Sequence, residues 1–416
     1  MIKRLLNVGL SGGGLAGKFI LLFLLARLLT PGDFGTYGII AATLSYCLYL
    51  VGLDFYTFAG REMAQTNRQK WPSMLRDQGV LYIFSYLVVI PQLGLLFWFN
   101  ILPKELAVVF FILLVSEHLS LEYARTLVTL GRPIASGVLM FVRTGTLGYA
   151  LIYYYINRIG EIELFAVVWA WAGIDMIALC LGVLLLRKLP WAGRNRNVDW
   201  PWIIKGIRVA LLLLIGTLAL RGIFTIDRYF IDMVSGREML GVYTLYLGIS
   251  SGLIGLLDAA VFSFNYPKLI SIYKRSDIIE FGRAKFIFFW QTILTIIVMS
   301  SVALLLIKYA LHWVGKPVYL EQISIFYLLL TASSIFGLGH VPHYVLYAMG
   351  RDRSIVVSNT VGFVSFIIFS VIFGYLYKMT GVALAMILSA TITGATKQYS
   401  THSGNSLVDG QKTTRP

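Results

Sequence analysis

Charged residues are scarce in this sequence of 416 residues, of which Asp, Glu, Lys and Arg together make up 13%. Soluble domains contain about 25% charged residues, so the chain has too few ionic groups to cover a water-exposed surface of its size. Hydrophobic residues make up 58% of the chain, and its mean hydropathy is +0.77. The composition excludes a soluble, disordered or fibrous protein and predicts an integral membrane protein.

Cysteine is nearly absent as well. The two cysteines, Cys47 and Cys180, both lie in apolar runs, and we expect both to be small buried residues. The low count excludes a secreted scaffold held together by disulfide bonds.

Apolar runs of about 20 residues predict membrane-spanning helices, because this length crosses the hydrocarbon core of a bilayer. The predicted spans are Leu5–Leu29, Thr36–Ala59, Val80–Phe99, Leu106–Leu130, Gly137–Ile156, Leu164–Leu186, Ile207–Ile231, Leu240–Asn265, Phe286–Leu311, Ile323–Met349, Ile355–Tyr377 and Gly381–Ala395. They predict an all-α membrane protein with a six-helix N-terminal lobe (1–186), a basic inter-lobe loop (187–205) and a six-helix C-terminal lobe (206–396). The last run is short, and residues 397–416 are predicted to form a polar, disordered tail.

The distribution of basic residues predicts the orientation of the spans. The net charge is +15. Of the 35 Lys and Arg residues, roughly two thirds fall in segments on the same side as the N-terminus, which the positive-inside rule makes cytoplasmic. Both termini are therefore predicted to be cytoplasmic. Orientation accounts for the excess positive charge, so binding to nucleic acid is not expected.

The segments predicted on the opposite side are short, for example 30–35 and 100–105. Membrane glycosyltransferases and polysaccharide polymerases or ligases generally place their chemistry in a large loop on that side. We therefore expect no enzyme activity and no catalytic residues. A metal site is not expected either, because His340 and His343 are separated by Pro342 and have no third ligand nearby in the sequence.

Two sequence patterns recur six spans apart. Phe34–Tyr37 opens the second span, and the similar segment Leu240–Tyr243 opens the eighth. A Gly-Arg pair ends both the fourth and the tenth span, at residues 131–132 and 350–351. A shift of six spans keeps the direction of the chain, so the halves form a parallel repeat. This pattern favours two six-helix bundles around a central cavity, an architecture typical of transporters.

Four basic residues lie inside predicted spans, where a charge without a partner costs at least ~2.5–3.5 kcal/mol. They are Lys18, Arg125, Arg143 and Arg221. Arg143 and Arg221 have no acidic residue within one turn of their own helix, so each requires a partner on another helix, water or an anionic ligand. Together the four residues indicate a cationic cavity that binds an anionic substrate. In that case, replacing Arg143 or Arg221 by Ala leaves folding nearly intact.

Carboxylates inside the spans are candidates for ion coupling or for contacts between the lobes. Asp54 and Asp258 occupy equivalent places in the two halves, and Asp175 lies within the sixth span. For the repeat-related pair, binding to backbone groups or to Arg is favoured over ion coupling.

Glu122 is a further candidate of this kind. It shares one helical face with His118 and Arg125, so these side chains can neutralise one another. Near the outer end of the seventh span, Asp227 and Arg228 form either a gate or an exposed pair at the membrane interface.

The segment Gly12–Phe19 nearly matches the phosphate-binding loop G-x-x-x-x-G-K-[ST]. Phe19 replaces the hydroxyl residue that binds the metal, and no strand precedes the segment. We therefore interpret its glycines as a place where the first span packs closely against another helix.

The junction between the first two spans, Arg27–Tyr37, resembles the signature of bacterial polysaccharide-repeat flippases. These are the Wzx-type proteins of the multidrug/oligosaccharidyl-lipid/polysaccharide exporter superfamily. Asp227-Arg228 followed by Leu240–Tyr243 resembles the corresponding junction in the second half of that family. The resemblance extends over nearly the whole chain.

The resemblance implies a V-shaped transporter of two lobes in the bacterial inner membrane. Such a protein moves undecaprenyl-diphosphate-linked oligosaccharide, a repeat unit of O-antigen, capsule or exopolysaccharide, from the cytoplasmic to the periplasmic leaflet by alternating access. It implies coupling to a proton or sodium gradient without another cofactor, and a polysaccharide polymerase and a chain-length regulator as protein partners. The diphosphate is expected to bind the Arg and Lys residues of the cavity.

Two other classes of function stay open. The first is a drug, metabolite or cation antiporter of the same superfamily or of the major facilitator type. The glycine-rich basic loop motif of the major facilitators is missing from residues 60–79, which disfavours that type. The second is a non-transporting scaffold for glycan assembly, and the Arg residues within the spans argue against it.

Overall fold

The computed structural model describes residues 2–157, 162–187, 189 and 197–402, and all regular structure in these ranges is helical. The helices are α1 (Ile2–Leu28), α2 (Pro31–Gly52), α3 (Phe55–Gln65), α4 (Trp71–Trp98), α5 (Ala107–Thr129), α6 (Pro133–Ile156), α7 (Leu164–Leu186), α8 (Trp200–Ser235), α9 (Arg237–Leu257), α10 (Ser263–Lys274), α11 (Ile278–Val314), α12 (Pro317–Glu321), α13 (Ile323–Leu338), α14 (His340–Ala348) and α15 (Asp352–His402). A π-helical turn, Asp258–Phe262, joins α9 to α10.

The predicted spans correspond to long apolar helices. Within the described ranges, eleven helical stretches are long and apolar enough to cross a membrane. The last of them, Asp352–His402, contains two predicted spans, because the backbone of Lys378 leaves the helical region (φ 52°, ψ −131°) and interrupts the helix. The prediction of an all-α protein with about twelve spans is confirmed.

The end of the last span differs from the prediction. α15 continues to His402, and Lys397 is only 4% exposed, so no disordered tail begins at Lys397. The polar residues of this segment are satisfied by the helix itself, since Thr393 Oγ1 donates to the Ser389 carbonyl at 2.8 Å. Because these residues are polar, the apolar run in the sequence ends before the helix does, and the predicted span was too short.

Some predicted features lie outside the described residues. They are the tail residues 403–416, the tip of the loop at 158–161, and most of the basic segment at 190–196 together with Lys188.

Local sequence signals set several helix boundaries. Thr30 caps α2, because its Oγ1 accepts a hydrogen bond from the Asp33 N–H at 3.1 Å, and Pro31 occupies the first turn. Gly131 and Gly350 have φ values of 73° and 69° and follow the ends of α5 and α14, where a left-handed residue closes the last turn. The two Gly-Arg pairs of the repeat therefore form the same turn.

The chain divides into two compact units, Met1–Leu214 and Ile215–Pro416, and the boundary lies within α8. In the first unit, α1 packs along α6 through glycines. A Cβ atom on Gly17 would lie 2.6 Å from the Gly145 carbonyl oxygen, and one on Gly148 would overlap the Gly17 carbonyl. Small residues allow helix backbones to approach this closely. The packing interpretation of the Gly12–Phe19 segment is thus confirmed.

The two cysteines differ in burial. Cys47 is 1% exposed, as expected, whereas Cys180 is exposed on α7. The prediction for Cys180 was wrong because it lies on the same apolar face of α7 as the exposed residues Ile177 and Leu184. Such a face is suited to contact lipid.

Candidate functional site

A buried ion cluster joins three helices of the first unit. Arg143 on α6 binds Glu117 on α5, with 3.0 Å between Nη2 and Oε2. Its Nε lies 3.9 Å from Oδ1 of Asp175 on α7, a residue that is fully buried. Trp171 donates its indole N–H to the other oxygen of Glu117 at 3.0 Å. Arg143 therefore has partners on other helices, one of the arrangements that the sequence left open.

This cluster contains two carboxylates and one guanidinium group. Among the described residues, neither Oδ1 of Asp175 nor Nε of Arg143 makes a hydrogen bond, and Ser116 reaches the second oxygen of Asp175 only at 3.5 Å. Buried carboxylates are costly to keep charged unless cations and hydrogen bonds compensate them. With one guanidinium group for two carboxylates, the cluster carries an excess of one negative charge when both carboxylates are ionised, and Asp175 Oδ1 is the oxygen without a hydrogen-bond partner among the described residues.

Glu122 forms a second network further along α5. Its Oε1 accepts a hydrogen bond from Arg125 at 2.5 Å. Its Oε2 accepts hydrogen bonds from Gln78 at 2.9 Å and from Tyr82 at 2.6 Å. The guanidinium carbon of Arg125 lies 3.6 Å from the centre of the Tyr56 ring. Both oxygens of Glu122 are satisfied within the protein, which favours a structural role.

The expected neutralisation holds for Glu122 and Arg125 but is wrong for His118. The Nδ1 atom of His118 instead forms a hydrogen bond of 2.6 Å with the Tyr86 hydroxyl. The partners on α4 were not predicted from the sequence. A signal was present, because Gln78, Tyr82 and Tyr86 recur at a spacing of four residues and so line one face of an apolar helix.

The two remaining basic residues of the spans have exposed side chains. Lys18 lies on α1 in the first unit, and Arg221 lies on α8 in the second. Arg125 and Arg143, by contrast, are bound to carboxylates of the first unit. The four predicted cations thus comprise two ion-paired residues and two exposed ones.

The repeat-related carboxylates both lie where a helix is interrupted. Asp54 connects α2 to α3 with φ 51° and ψ 18°, and Leu53 before it also has a positive φ of 52°. Asp258 begins the π-helical turn and accepts a hydrogen bond from Tyr344 at 3.4 Å. Asp54 is 4% exposed, whereas Asp258 is exposed. The two positions are equivalent in the chain but differ in burial.

Asp227 and Arg228 form an ion pair near the end of α8. Oδ1 of Asp227 lies 3.2 Å from Nη1 of Arg228, and Oδ2 accepts a hydrogen bond from the Tyr243 hydroxyl at 2.9 Å. Arg228 also donates to the Phe224 carbonyl. Because Asp227 is 0% exposed, the interpretation as an exposed interfacial pair is wrong. A role as a gate stays a prediction.

No protein-family model and no curated protein matches the chain. An inward-facing multidrug resistance MATE family transporter of the MOP superfamily has a similar structure, with a TM-score of 0.75 over 96% of both chains at 11% identity. The fold is that of the MATE transporters. An outward-facing MATE family transporter gives a TM-score of 0.59 at 15% identity, over 99% of this chain and 97% of the other. A mutant of the Vibrio cholerae MATE transporter VcmN gives a TM-score of 0.56 at 14% identity, over 96% of this chain and 98% of the other.

The MATE fold agrees with the architecture expected of the exporter superfamily named from the sequence. At 11–15% identity, the similarity to MATE structures establishes the fold and not the cargo. The narrower resemblance to Wzx-type flippases therefore stays a prediction.

Proposed function

We propose that this chain is a cation-coupled exporter that moves an amphipathic drug or metabolite across the bacterial inner membrane by alternating access. The observation that carries the proposal is the buried cluster of Arg143, Glu117 and Asp175 in a chain with the MATE fold. A similar structure belongs to a multidrug resistance transporter, and this supports a drug or metabolite over a lipid-linked oligosaccharide as cargo.

Coupling depends on the charge of the cluster. When both carboxylates are ionised, Arg143 compensates only one of them, and a proton or Na⁺ binds at Asp175 to compensate the other. The cluster lies where α5, α6 and α7 meet, so its charge biases how these helices pack. A cation that enters down its gradient thereby shifts the equilibrium between two states of the transporter.

The test uses the full-length protein in proteoliposomes with an imposed proton or sodium gradient and ethidium as cargo. We expect gradient-driven movement of ethidium, and a decrease of at least about tenfold in Asp175→Asn and in Glu117→Gln. Glu62→Gln is the matched control, because Glu62 pairs with Lys205 at 2.9 Å in a solvent-accessible position. Wild-type transport by Asp175→Asn, with equal amounts of folded protein, would overturn the coupling role.

A lipid-linked oligosaccharide is the second candidate cargo, and the exposed cations Lys18 and Arg221 favour it. Each unit carries one of them on the first helix of its half, and basic side chains bind diphosphate strongly. Because both side chains are exposed, each is accessible to a headgroup that approaches its own unit.

Complementation of a flippase-null strain separates the two cargoes. A flippase restores surface glycan, loses this activity in Lys18→Ala and Arg221→Ala, and moves no ethidium. A drug or metabolite exporter moves ethidium and leaves the glycan defect uncorrected.

A further inference from the structure

A second polar cluster lies in the second unit, where α14 meets the end of α15. His340 and His343 occupy the first turns of α14, with 5.9 Å between their ring centroids. Lys397 on α15 is 4% exposed. The proposed coupling site lies entirely in the first unit, so it uses none of these residues.

The approach of two glycines creates this cluster. A Cβ atom on Gly339 would lie 3.5 Å from the Cα atom of Gly394, so the two backbones touch there. About one turn further along each helix come His343 and Lys397. The helices α14 and α15 pack against each other along this stretch, which brings Lys397 close to the histidine-bearing turn of α14.

Lys397 and His343 have unused hydrogen-bonding capacity. In the part of the chain that the structure describes, no hydrogen bond or ion pair is formed by the Lys397 ammonium group or by either ring nitrogen of His343. His340 differs, because its Nδ1–H donates to the Phe336 carbonyl at 2.8 Å. A cation on a side chain that is only 4% exposed is costly without a hydrogen-bonding partner, and an anion would supply that partner.

The surroundings of the cluster define the shape and charge of a ligand. Phe262 stacks on His340, with 5.4 Å between the ring centroids and 12° between the planes. The ring centroids of Tyr344 and His343 lie 5.4 Å apart, and the Tyr344 hydroxyl donates a hydrogen bond to Oδ1 of Asp258 at 3.4 Å. Arg221 is exposed one turn before Phe224 on α8. The Phe224 ring packs on Phe336 and the Phe336 ring packs on His340, with 5.1 and 5.0 Å between the ring centroids, so Arg221 brings a second positive charge to this region.

We propose that the second unit contains an oxyanion-binding site in which Lys397 binds a phosphate or diphosphate group. One N–H of His343 donates a second hydrogen bond, since a neutral imidazole retains one donor. Phe262 fixes the His340 ring as one wall, and the exposed Arg221 attracts the anion. The ligand is either a free phosphate compound or the phosphate headgroup of a lipid.

The test measures binding to the purified full-length protein by isothermal titration calorimetry and by the shift in Tm. The probes are inorganic pyrophosphate, geranyl diphosphate and, as the uncharged control, geraniol. We expect at least one diphosphate to bind and to raise Tm, and Lys397→Met to weaken its binding at least tenfold. Lys397→Met should unfold at the same or a higher temperature than the wild type without ligand, because a buried charge has been removed. Lys274→Met is the matched control at an exposed position of the same unit.

The outcomes separate the sources of the anion. Binding of both diphosphates indicates that the oxyanion alone is recognised, and binding of geranyl diphosphate alone indicates a lipid headgroup. The absence of binding to the wild type, or equal binding by Lys397→Met, would overturn the site. If Lys397→Met does not accumulate, Lys397→Arg should retain binding and His343→Leu should weaken it, and the reverse result would also overturn the site.

Discussion

Arg132 donates from Nη1 to the carbonyl oxygen of Leu185, 2.7 Å away, at the C-terminal end of α7. Arg351 makes the same contact in the second unit, where its Nη1 lies 2.5 Å from the Ser400 carbonyl near the end of α15. Each arginine follows a glycine with a positive φ, and each places a cation at the negative end of the last helix of its own half. The repeat thus preserves both a turn and the helix end that it caps.

Arg351→Ala should lower the stability of the second unit by about 1.5–3 kcal/mol, the range for a hydrogen bond that involves a charged group. The measurement is the Tm of the purified protein. Arg353→Ala is the control, because Arg353 is exposed in the first turn of α15, two residues further along the chain, and its removal should leave Tm nearly unchanged. Equal Tm values for the two variants would show that the Arg351 cap does not stabilise the fold.

The sequence predicted the features that depend on local chemistry. Short-range spacing of residues along the chain was enough to predict the twelve spans, the glycine packing of α1 and the pairing of Glu122 with Arg125. The Gly-Arg pairs of the repeat were also recognisable, because a glycine after a helix marks a left-handed turn wherever it occurs.

The partners of Arg143 were not predictable in this way. Glu117 and Asp175 lie on two other helices, and their approach depends on how α5, α6 and α7 pack. The burial of Lys397 was missed for a different reason. A search for long apolar runs finds helices that face lipid. The polar end of α15 is instead buried against protein, and Ser389 Oγ in this helix donates to the Gly362 carbonyl at 2.7 Å.

Gly17→Ala should reduce the amount of folded protein. Its Cβ would lie 2.6 Å from the Gly145 carbonyl, so α1 and α6 must separate and lose packing, which typically costs about 1–3 kcal/mol. Gly12→Ala is the control, because no atom lies within 4 Å of a Cβ at that position. The readout is the monodisperse fraction in size-exclusion chromatography of detergent extracts. If Gly17→Ala behaves like Gly12→Ala, the close approach is not required for folding.

Asp54→Val should destabilise the protein more than Asp258→Val. A left-handed conformation costs about 1–2 kcal/mol for a residue with a Cβ and is best tolerated by Gly, Asn and Asp. Asp54 has φ 51°, whereas Asp258 has an ordinary helical φ of −61°. Denaturation midpoints compare the two variants, and Asp54→Asn should remain close to the wild type. If Asp54→Asn is as damaging as Asp54→Val, the position requires the carboxylate and not its backbone conformation.

The predicted orientation is testable with single cysteines in a Cys47→Ser, Cys180→Ser background. Ser276 lies between α10 and α11, and Lys316 lies between α11 and α12. By the positive-inside rule, a membrane-impermeant thiol reagent added to intact cells should label Lys316→Cys and spare Ser276→Cys. Both should be labelled after the cells are opened. The opposite pattern would invert the assignment of both termini to the cytoplasm.

Arg143→Ala should lower the amount of folded protein strongly, which reverses the sequence-based expectation that folding stays nearly intact. The substitution leaves Glu117 and Asp175 buried without the cation that lies 3.0 and 3.9 Å from them. Removal of one partner from a buried ion pair costs about 3–5 kcal/mol. Arg61→Ala, at an exposed position of the same unit, is the matched control for the measurement of membrane abundance.

The charge-balanced variant separates electrostatics from packing at this cluster. Arg143→Met combined with Glu117→Gln and Asp175→Asn keeps side chains of similar size and removes every charge of the cluster. Replacement of a buried ion cluster by neutral groups is often tolerated, because desolvation offsets much of the attraction between the ions. The triple variant should therefore recover abundance relative to Arg143→Ala and remain inactive in gradient-driven transport. If the triple variant is no more abundant than Arg143→Ala, the defect results from lost packing of the guanidinium group and not from the uncompensated carboxylates.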